Sequence, residues 1–483
     1  MSELINESPG TQGAIPCPWC GAKDQVSGRN CQSCERLIAG LPTWANAETE
    51  AQAKADLGKL LRLTPRRRAL LGSLIFVVAL ISWLNFPFVS NPITILFGKS
   101  TTSLTSASSP GQWTSAGWDL QGTRYIADVS EQPQGVLKWS RDLGNPTLSA
   151  PTVVGDDIYL GGHFKAMALD AESGEVIWEI DTPGPMERSF AVAGDYVYMG
   201  LSDHRLLALD RNTGEVRWEY TAEFPITSSP VVADGLVYFG SSDGIVYALD
   251  AATGSKIWKQ QLKGNLRSSP AISDGRLFAT DTDGNLNILS ARTGQKRFRF
   301  RTAASASDAP VVAGGLAYFP SGGRIFAVDI EARSKRGEFQ VKRVWTQFYV
   351  WQIPGVPAPS SQRGERWRFA PEKHASLGIA ASPAVAPDAL YYGDTAGFLY
   401  ARDVTTREEL WRFQANGGIV SSPVILGDRV YFGSRDGNLY ALDRSSGELI
   451  WRLSFDAPIE ISPVYAEGRL YIRTLDGRLH AID

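Results

Sequence analysis

Residues 228–258 read SSPVVADGLVYFGSSDGIVYALDAATGSKIW, and this stretch decides the fold. Three apolar runs, VV, LVYFG and IVYALD, are followed by KIW. Their Val, Tyr, Phe and Ile suit a pleated, half-buried surface. Asp234-Gly235 and Asp243-Gly244 separate the runs. Asp-Gly between β-runs marks a hairpin, because a type I′ turn needs positive φ at both central residues. The same dipeptide returns at Asp274-Gly275, Asp283-Gly284, Asp436-Gly437 and Asp476-Gly477. The unit is therefore expected to be a four-stranded antiparallel meander, with strands A to D.

Working outward, the opening Ser-Ser-Pro or a near copy occurs eight times. Its marker position falls at Pro151, Phe190, Pro230, Pro270, Pro310, Pro383, Pro423 and Pro463. The spacing is close to 40 residues everywhere except between Pro310 and Pro383. Four strands in about 40 residues is the size of a propeller blade. A fixed period means one supersecondary unit repeated, and a rigid architecture that by itself does not name an activity.

The end of each unit is more specific. ALDAESGEVIW (168–178), ALDRNTGEVRW (208–218), ALDAATGSKIW (248–258) and ALDRSSGELIW (441–451) share Ala-x-Asp, a Gly and a terminal Trp, with ARDVTTREELW (401–411) a weaker copy. The Gly can take a left-handed turn between strands C and D at little steric cost. The Trp offers a large apolar face and one N–H donor for packing against the next blade. These motifs resemble the pyrroloquinoline-quinone (PQQ) repeat, Ala-x-Asp-x-x-Thr-Gly-x-x-x-Trp. The resemblance runs from about Trp113 to Asp483, and QWTSAGWDLQGTRY (112–125) looks like the segment before the first blade in that family. It implies a mainly β fold, an eight-bladed β-propeller of four-stranded antiparallel blades over 113–483. The family holds quinoprotein dehydrogenases and also propellers that bind no quinone, such as the outer-membrane assembly lipoprotein.

The last repeat stops at Asp483, after its third strand. A spare fourth strand sits in GVLKWSRDL (135–143), where Trp139 precedes Pro151 by the interval that separates Trp218 from Pro230. Residues near 136–141 are expected to complete the last blade, removing exposed strand edges. One blade departs from the pattern: Asp329 and Trp367 lie far apart, placing an insertion at about 331–366 in the C–D connection of blade five. It holds Trp345, Phe348, Tyr349 and Trp351, then Pro354, Pro357 and Pro359, between Lys335, Arg336, Lys342, Arg343, Arg363, Arg366 and Arg368. Long loops on rigid scaffolds often carry binding, and Trp, Tyr and Arg are common interface anchors. The four aromatics are candidate partner contacts; the alternative is that they cover the edge of their own blade.

All four cysteines lie near the N-terminus, at Cys17, Cys20, Cys31 and Cys34. Two Cys-x-x-Cys knuckles can place four thiolates tetrahedrally round Zn²⁺, so 14–38 resembles a minimal zinc ribbon, with redox or disulfide chemistry as the alternative. So small a segment builds no core, and the metal would supply its folding free energy. A closed four-thiolate site leaves no open position for catalysis. Residues 44–64 follow as a juxtamembrane helix. The run ALLGSLIFVVALISWLNFPFV (69–89) lacks any ionisable residue and is expected to be one transmembrane helix, a buried soluble helix being the alternative. Basic residues precede it, from Lys54 to Arg68. The expected layout is thus a single-pass protein of the plasma (inner) membrane. Its N-terminus would be cytoplasmic and its propeller periplasmic or extracellular, joined by a flexible Ser/Thr-rich linker over 99–112.

Residues 1–98 carry nine Lys/Arg and seven Asp/Glu, so the ring keeps 39 and 44 of the chain's 48 and 51. A mildly acidic ring argues against general nucleic-acid binding there. No Gly-x-Ser-x-Gly, His-Glu-x-x-His or phosphate loop occurs. His163, His204, His374 and His480 lie in different blades or loops, and the carboxylates at Asp170, Asp210, Asp250 and Asp443 recur with the repeat, which suits turn hydrogen bonding. In the quinoprotein branch the cofactor commonly lies under a ring made by adjacent cysteines, and none follows Cys34. The expectation is a non-catalytic binding scaffold of the cell envelope for a protein, peptide or envelope polymer, without PQQ. The alternatives are a PQQ-dependent dehydrogenase and a transmembrane sensor or adaptor.

Overall fold

The computed structural model describes residues 26–27, 30–31 and 73, and residues 99–483 except 107–111, 130, 145–148, 163, 187, 303, 307, 334–337, 358–361, 370–377 and 380. The chain divides into two compact units, Met1–Ser82 and Trp83–Asp483. In the first, Val26–Ser27 pairs antiparallel with Asn30–Cys31.

The second unit holds eight sheets, each built on four antiparallel strands, which follow sequence order in all but the last. In the blade that contains the quoted stretch, Val231–Ala233, Leu236–Gly240, Ile245–Asp250 and Lys256–Gln261 form strands A to D. Seven apolar clusters join blades 1 to 2, 2 to 3, 3 to 4, 4 to 5, 5 to 6, 6 to 7, and 7 through 8 back to 1. The ring is therefore closed by hydrophobic burial at every blade junction. The last blade takes Leu137–Asp142 as its fourth strand, with Trp139 opposite Ala481 and Ser140 opposite His480. The register slips by one residue between Ala481 and Ile482, as it does at the same place in the C–D ladders of the other blades.

The repeat signature has a mechanical reading. In blades 1, 2, 3 and 8 the Trp on strand D donates its indole N–H to a carbonyl of the next blade: Trp178 to Arg211 at 2.9 Å, Trp218 to Ala251 at 3.1 Å, Trp258 to Ala291 at 2.9 Å, and Trp139 to Ala171 at 3.2 Å across the closure. The ring lies on the Gly of that next blade's C–D turn. A Cβ added to Gly174, Gly214, Gly254 or Gly294 would stand 2.6–3.0 Å from indole carbons. The motif glycine thus supplies both a positive φ (+70° at Gly254) and the missing Cβ that lets the indole settle. The motif aspartates cap the same turn: Asp210 accepts from the amides of Asn212 and Thr213, and Asp443 from those of Ser445 and Ser446.

The Asp-Gly hairpins are of two kinds, and only one meets the type I′ expectation. At the A–B turns both residues have positive φ, 50° and 75° at Asp234-Gly235, as a type I′ turn requires. At the B–C turns only the glycine does, with Gly244 at 82°. Those loops contain a turn closed by Gly244 N–H to Ser241 O at 3.0 Å, and the Asp243 carboxylate accepts from the Ile245 amide. A four-residue connection places its Asp in right-handed backbone and leaves the Gly to reverse the chain.

Innermost strands of a propeller leave one row of amides and carbonyls unpaired. Here the described residues of the chain's own stretches 104–106 and 112–127 fill much of that row. Ser106 donates to Val232 of blade 3, Trp113 exchanges two bonds with Val153 of blade 1, and the Thr114 carbonyl accepts from Val192 of blade 2. Leu120, Gln121 and Thr123 then accept from Ile272, Val312 and Val385 of blades 4, 5 and 6. Tyr125–Ile126 finally runs parallel to Val424–Leu426 of blade 7. The Ser/Thr-rich stretch read as a flexible linker is held in its described part: Thr101 donates its amide (2.5 Å) and hydroxyl (2.8 Å) to Asp250, and Gly235 donates to Leu104.

The expected membrane placement is corrected. Among the described residues no helix is long and apolar enough to cross a membrane. The one long helix described, Glu338–Val350, has 13 residues and rises only about 20 Å, short of a bilayer core. The single-pass layout with a cytoplasmic N-terminus is therefore not retained. The stretch 69–89 and the juxtamembrane segment 44–64 lie outside the described residues, apart from Ser73.

Candidate binding site

Strand C of blade 5 ends at Asp329 and strand D begins at Glu365, so the insertion replaces a five-residue turn by residues 330–364. Its base is fixed to the ring. Asp329 donates its amide to Gly364 O at 2.8 Å and accepts from Arg366 at 2.6 Å. Gln362 accepts from the Arg301 amide at 3.2 Å, and Glu331 pairs with Arg276 of blade 4.

From that base rises the helix Glu338–Val350, which continues into a tight return at 351–357. Gln352 takes a left-handed φ of 54°, and the Ile353 amide donates to Phe348 O at 3.1 Å. The Trp345 indole donates to Pro357 O at 3.0 Å and clamps the returning chain against the helix. Between helix and return lies an apolar groove of about 320 Å³, lined by Val344, Trp345, Phe348, Gly355, Val356 and Pro357. Phe348 and Trp351 pack with ring centroids 6.2 Å apart.

These side chains do not cover the edge of their own blade. Trp345 is 44% exposed, Phe348 40%, Tyr349 45% and Trp351 63%, and Val344, Val350 and Ile353 are exposed beside them. Scattered exposed apolar residues are ordinary, but seven large ones within ten residues form a contiguous patch of the kind that marks an interaction surface. The structure thus brings together all four aromatics singled out in the sequence.

Two buried arginines stand out elsewhere in the ring, Arg124 and Arg473. Arg124 is 5% exposed, donates to Gly122 O at 3.2 Å, and is opposed in charge by Asp308 and Asp119. Burial lowers its affinity for the proton, while the two carboxylates raise it. Asp119 accepts from the Thr123 amide and hydroxyl, yet burial lifts its carboxyl above the usual range. Arg473 occupies the repeat position held by glycine in blades 1, 2, 3, 6 and 7. It is fully buried and donates to Gly161 O at 2.9 Å across the blade 8–blade 1 junction. Sequence reading missed both arginines; the break in the glycine column at Arg473 was the available signal.

The histidines do not converge. His204 lies 3.1 Å through Nδ1 from Glu223 O and stacks on Phe224, while His480 is buried against Phe455 and Thr474. His163 and His374 lie outside the described residues. Among the described residues no three His, Cys, Asp or Glu side chains assemble to hold a metal ion. The buried carboxylate of Asp281 is saturated by Asn285 and Asn287, and that of Asp394 by two amides and Tyr400. These carboxylates serve their own turns. Cys31 ends the second strand of the N-terminal ladder; Cys17, Cys20 and Cys34 lie outside the described residues.

The chain is similar to four known proteins or families. The crystal structure of BamB from Moraxella catarrhalis superimposes with a TM-score of 0.57 at 18% identity, covering 72% of this chain and 97% of that one. Quinohemoprotein alcohol dehydrogenase from Comamonas testosteroni does so with a TM-score of 0.61 at 15% identity, covering 78% and 81%. In sequence, the 1-butanol dehydrogenase (cytochrome c) of Thauera butanivorans is 31% identical over 109 residues, 21% of this chain and 16% of that protein. The match thus spans a small fraction of that relative's own length. The family model described as outer membrane protein assembly factor BamB matches residues 128–241, 221–344, 360–443 and 397–483. Together these matched segments cover well over half of the sequence, and the chain belongs to this PQQ-repeat propeller family.

Proposed function

We propose that this protein is a non-catalytic binding scaffold whose rigid ring presents the blade-5 insertion to a protein partner. The observation that carries the reading is the exposed aromatic patch of Trp345, Phe348, Tyr349 and Trp351 on a loop whose base is hydrogen-bonded to two blades. Large aromatic anchors on a preorganised element bind at low entropic cost. The histidines and carboxylates that could do chemistry are dispersed or spent on turns, which supports a binding role. Photo-crosslinking from positions 345 and 351 in intact cells tests it. A discrete adduct that disappears when 338–357 is deleted, with the ring still folded, supports the reading; capture unchanged by the deletion refutes it.

Within the same scaffold, Cys17, Cys20, Cys31 and Cys34 would hold a structural Zn²⁺. The short ladder Val26–Ser27 with Asn30–Cys31 leads into the second knuckle at Cys31, which suits a ribbon.

A second reading is a PQQ-dependent dehydrogenase, favoured by the likeness over 109 residues to 1-butanol dehydrogenase. Adding PQQ and Ca²⁺ to the purified protein separates the two. A bound chromophore with alcohol-dependent dye reduction would establish the enzyme.

A further inference from the structure

We infer that the groove on the insertion takes an acidic amphipathic helix of a partner protein, with one or two apolar side chains seated between the helix 338–350 and the return 355–357. The inference rests on the binding-scaffold reading and specifies the partner's chemistry. Three observations carry it.

The first is shape. The groove has two walls, with Val344, Trp345 and Phe348 on one side and Gly355, Val356 and Pro357 on the other, and its 320 Å³ has room for inserted side chains. A concave slot with walls from two segments suits the anchors of a helix spaced three or four residues apart. The second is rigidity. The Trp345–Pro357 hydrogen bond spans the slot, and Gln362 and Glu331 tie the loop's base to blade 4, so the slot exists before the partner arrives.

The third is charge. Between residues 331 and 368 the chain has eight Lys/Arg and three Asp/Glu, whereas the whole protein carries a net charge of −3. Arg366 pairs with Asp329 and Arg368 with Glu365 at the base of the loop. Lys342 and Arg343 belong to the helix itself, immediately before Val344 and Trp345. An apolar slot on a segment of net positive charge, in a protein of opposite net sign, selects a partner whose apolar face is flanked by carboxylates. A basic helix of the same apolar pattern would meet like charges.

The test uses the full-length protein and two short fluorescein-labelled helical peptides with identical leucine positions. One carries Glu on its polar face and the other carries Lys; binding is read by fluorescence anisotropy. The Glu peptide is expected to bind at least about tenfold more tightly at low salt, with the ratio shrinking as ionic strength rises. Lys342→Glu with Arg343→Glu should reverse the order of preference. Phe348→Ala should weaken both peptides by a similar factor while leaving the thermal transition of the ring unchanged. Equal affinity for the two peptides, or a preference untouched by the charge reversal, overturns the inference. So does binding of anionic phosphatidylglycerol vesicles with no peptide binding, which would make the surface a lipid contact. Failure here alongside a positive crosslink from position 345 would discard the acidic-helix assignment and keep the scaffold reading.

Discussion

Replacing Gly254 by Ala should cost far more than the same change at Gly275, although both backbones are left-handed, with φ of +70° and +66°. A Cβ at Gly275 meets nothing within 4 Å, so Gly275→Ala incurs only the left-handed penalty of about 1–2 kcal/mol. At Gly254 the added Cβ would stand 2.6 Å from Trp218 Cε3 and 2.9 Å from Cδ2. The indole must move, and its rigid neighbours Tyr198, 5.9 Å away between centroids, and Ala251, which accepts its N–H at 3.1 Å, hold it in place. Overpacking of this kind costs about 1–3 kcal/mol, and loss of the hydrogen bond about 1 kcal/mol. Gly254→Ala should therefore destabilise the ring by about 3–6 kcal/mol, roughly 2–4 kcal/mol more than its counterpart. Urea unfolding followed by tryptophan fluorescence measures both. The double variant Gly254→Ala with Trp218→Leu should cost less than the sum of its parts, because the shorter side chain removes the clash. Equal destabilisation by the two glycine variants would refute the reasoning, since it would mean that the motif glycine serves the turn and not the indole.

Other outcomes follow from the same geometry. His480 is buried, and burial pushes its pKa down to about 4 from 6.5 against the opposing influence of Asp476. The unfolded chain therefore takes up this proton first as pH falls, and stability is full above about 6.5 and is lost progressively down to about 4, by roughly 2–3 kcal/mol. His480→Tyr, matching Tyr247, Tyr400 and Tyr440 at the same repeat position, should keep the fold and flatten the melting temperature between pH 7 and 4.5. Purified full-length protein should carry one Zn²⁺ per chain by elemental analysis; Cys17→Ser should abolish it without altering the ring's thermal transition. Deleting residues 338–357 should leave that transition within about 1 kcal/mol, because the patch it removes is exposed and contributes little burial.

Much of the ring was legible in the amino-acid order because its determinants are local and repeated. Asp-Gly turns, alternating apolar strands and the Gly–Trp pair each act over a few residues or across one blade junction, and each recurs often enough to be aligned against itself. The closure by Leu137–Asp142 could be read for the same reason: Trp139 lies at the spacing its counterparts keep. The axial segment was not legible, since its partners are spread over seven blades and a few hydrogen bonds to each leave no periodic trace. Its serines and threonines looked like a solvated linker, yet Ser106 is fully buried. In the insertion, residue types pointed to a contact surface, but only the structure shows the clamp from Trp345 to Pro357 that makes a groove of it. The two kinds of Asp-Gly turn differ in loop length, which a shared dipeptide conceals.

The central claim is that strand 137–142 is the fourth strand of the last blade, so that the two ends of the ring sequence are locked together. Asp142 and Arg478 face each other across that ladder, with carboxylate and guanidinium 3.9 Å apart. Asp142→Cys with Arg478→Cys, oxidised under native conditions with the four N-terminal cysteines replaced by serine, measures the pairing directly. Closure predicts near-complete formation of a disulfide linking the two positions, identified by peptide mass analysis, whereas Asp142→Cys with Asn438→Cys, one blade away, should remain reduced. Free thiols in the first variant, or equal linkage in both, would contradict the closed eight-bladed ring.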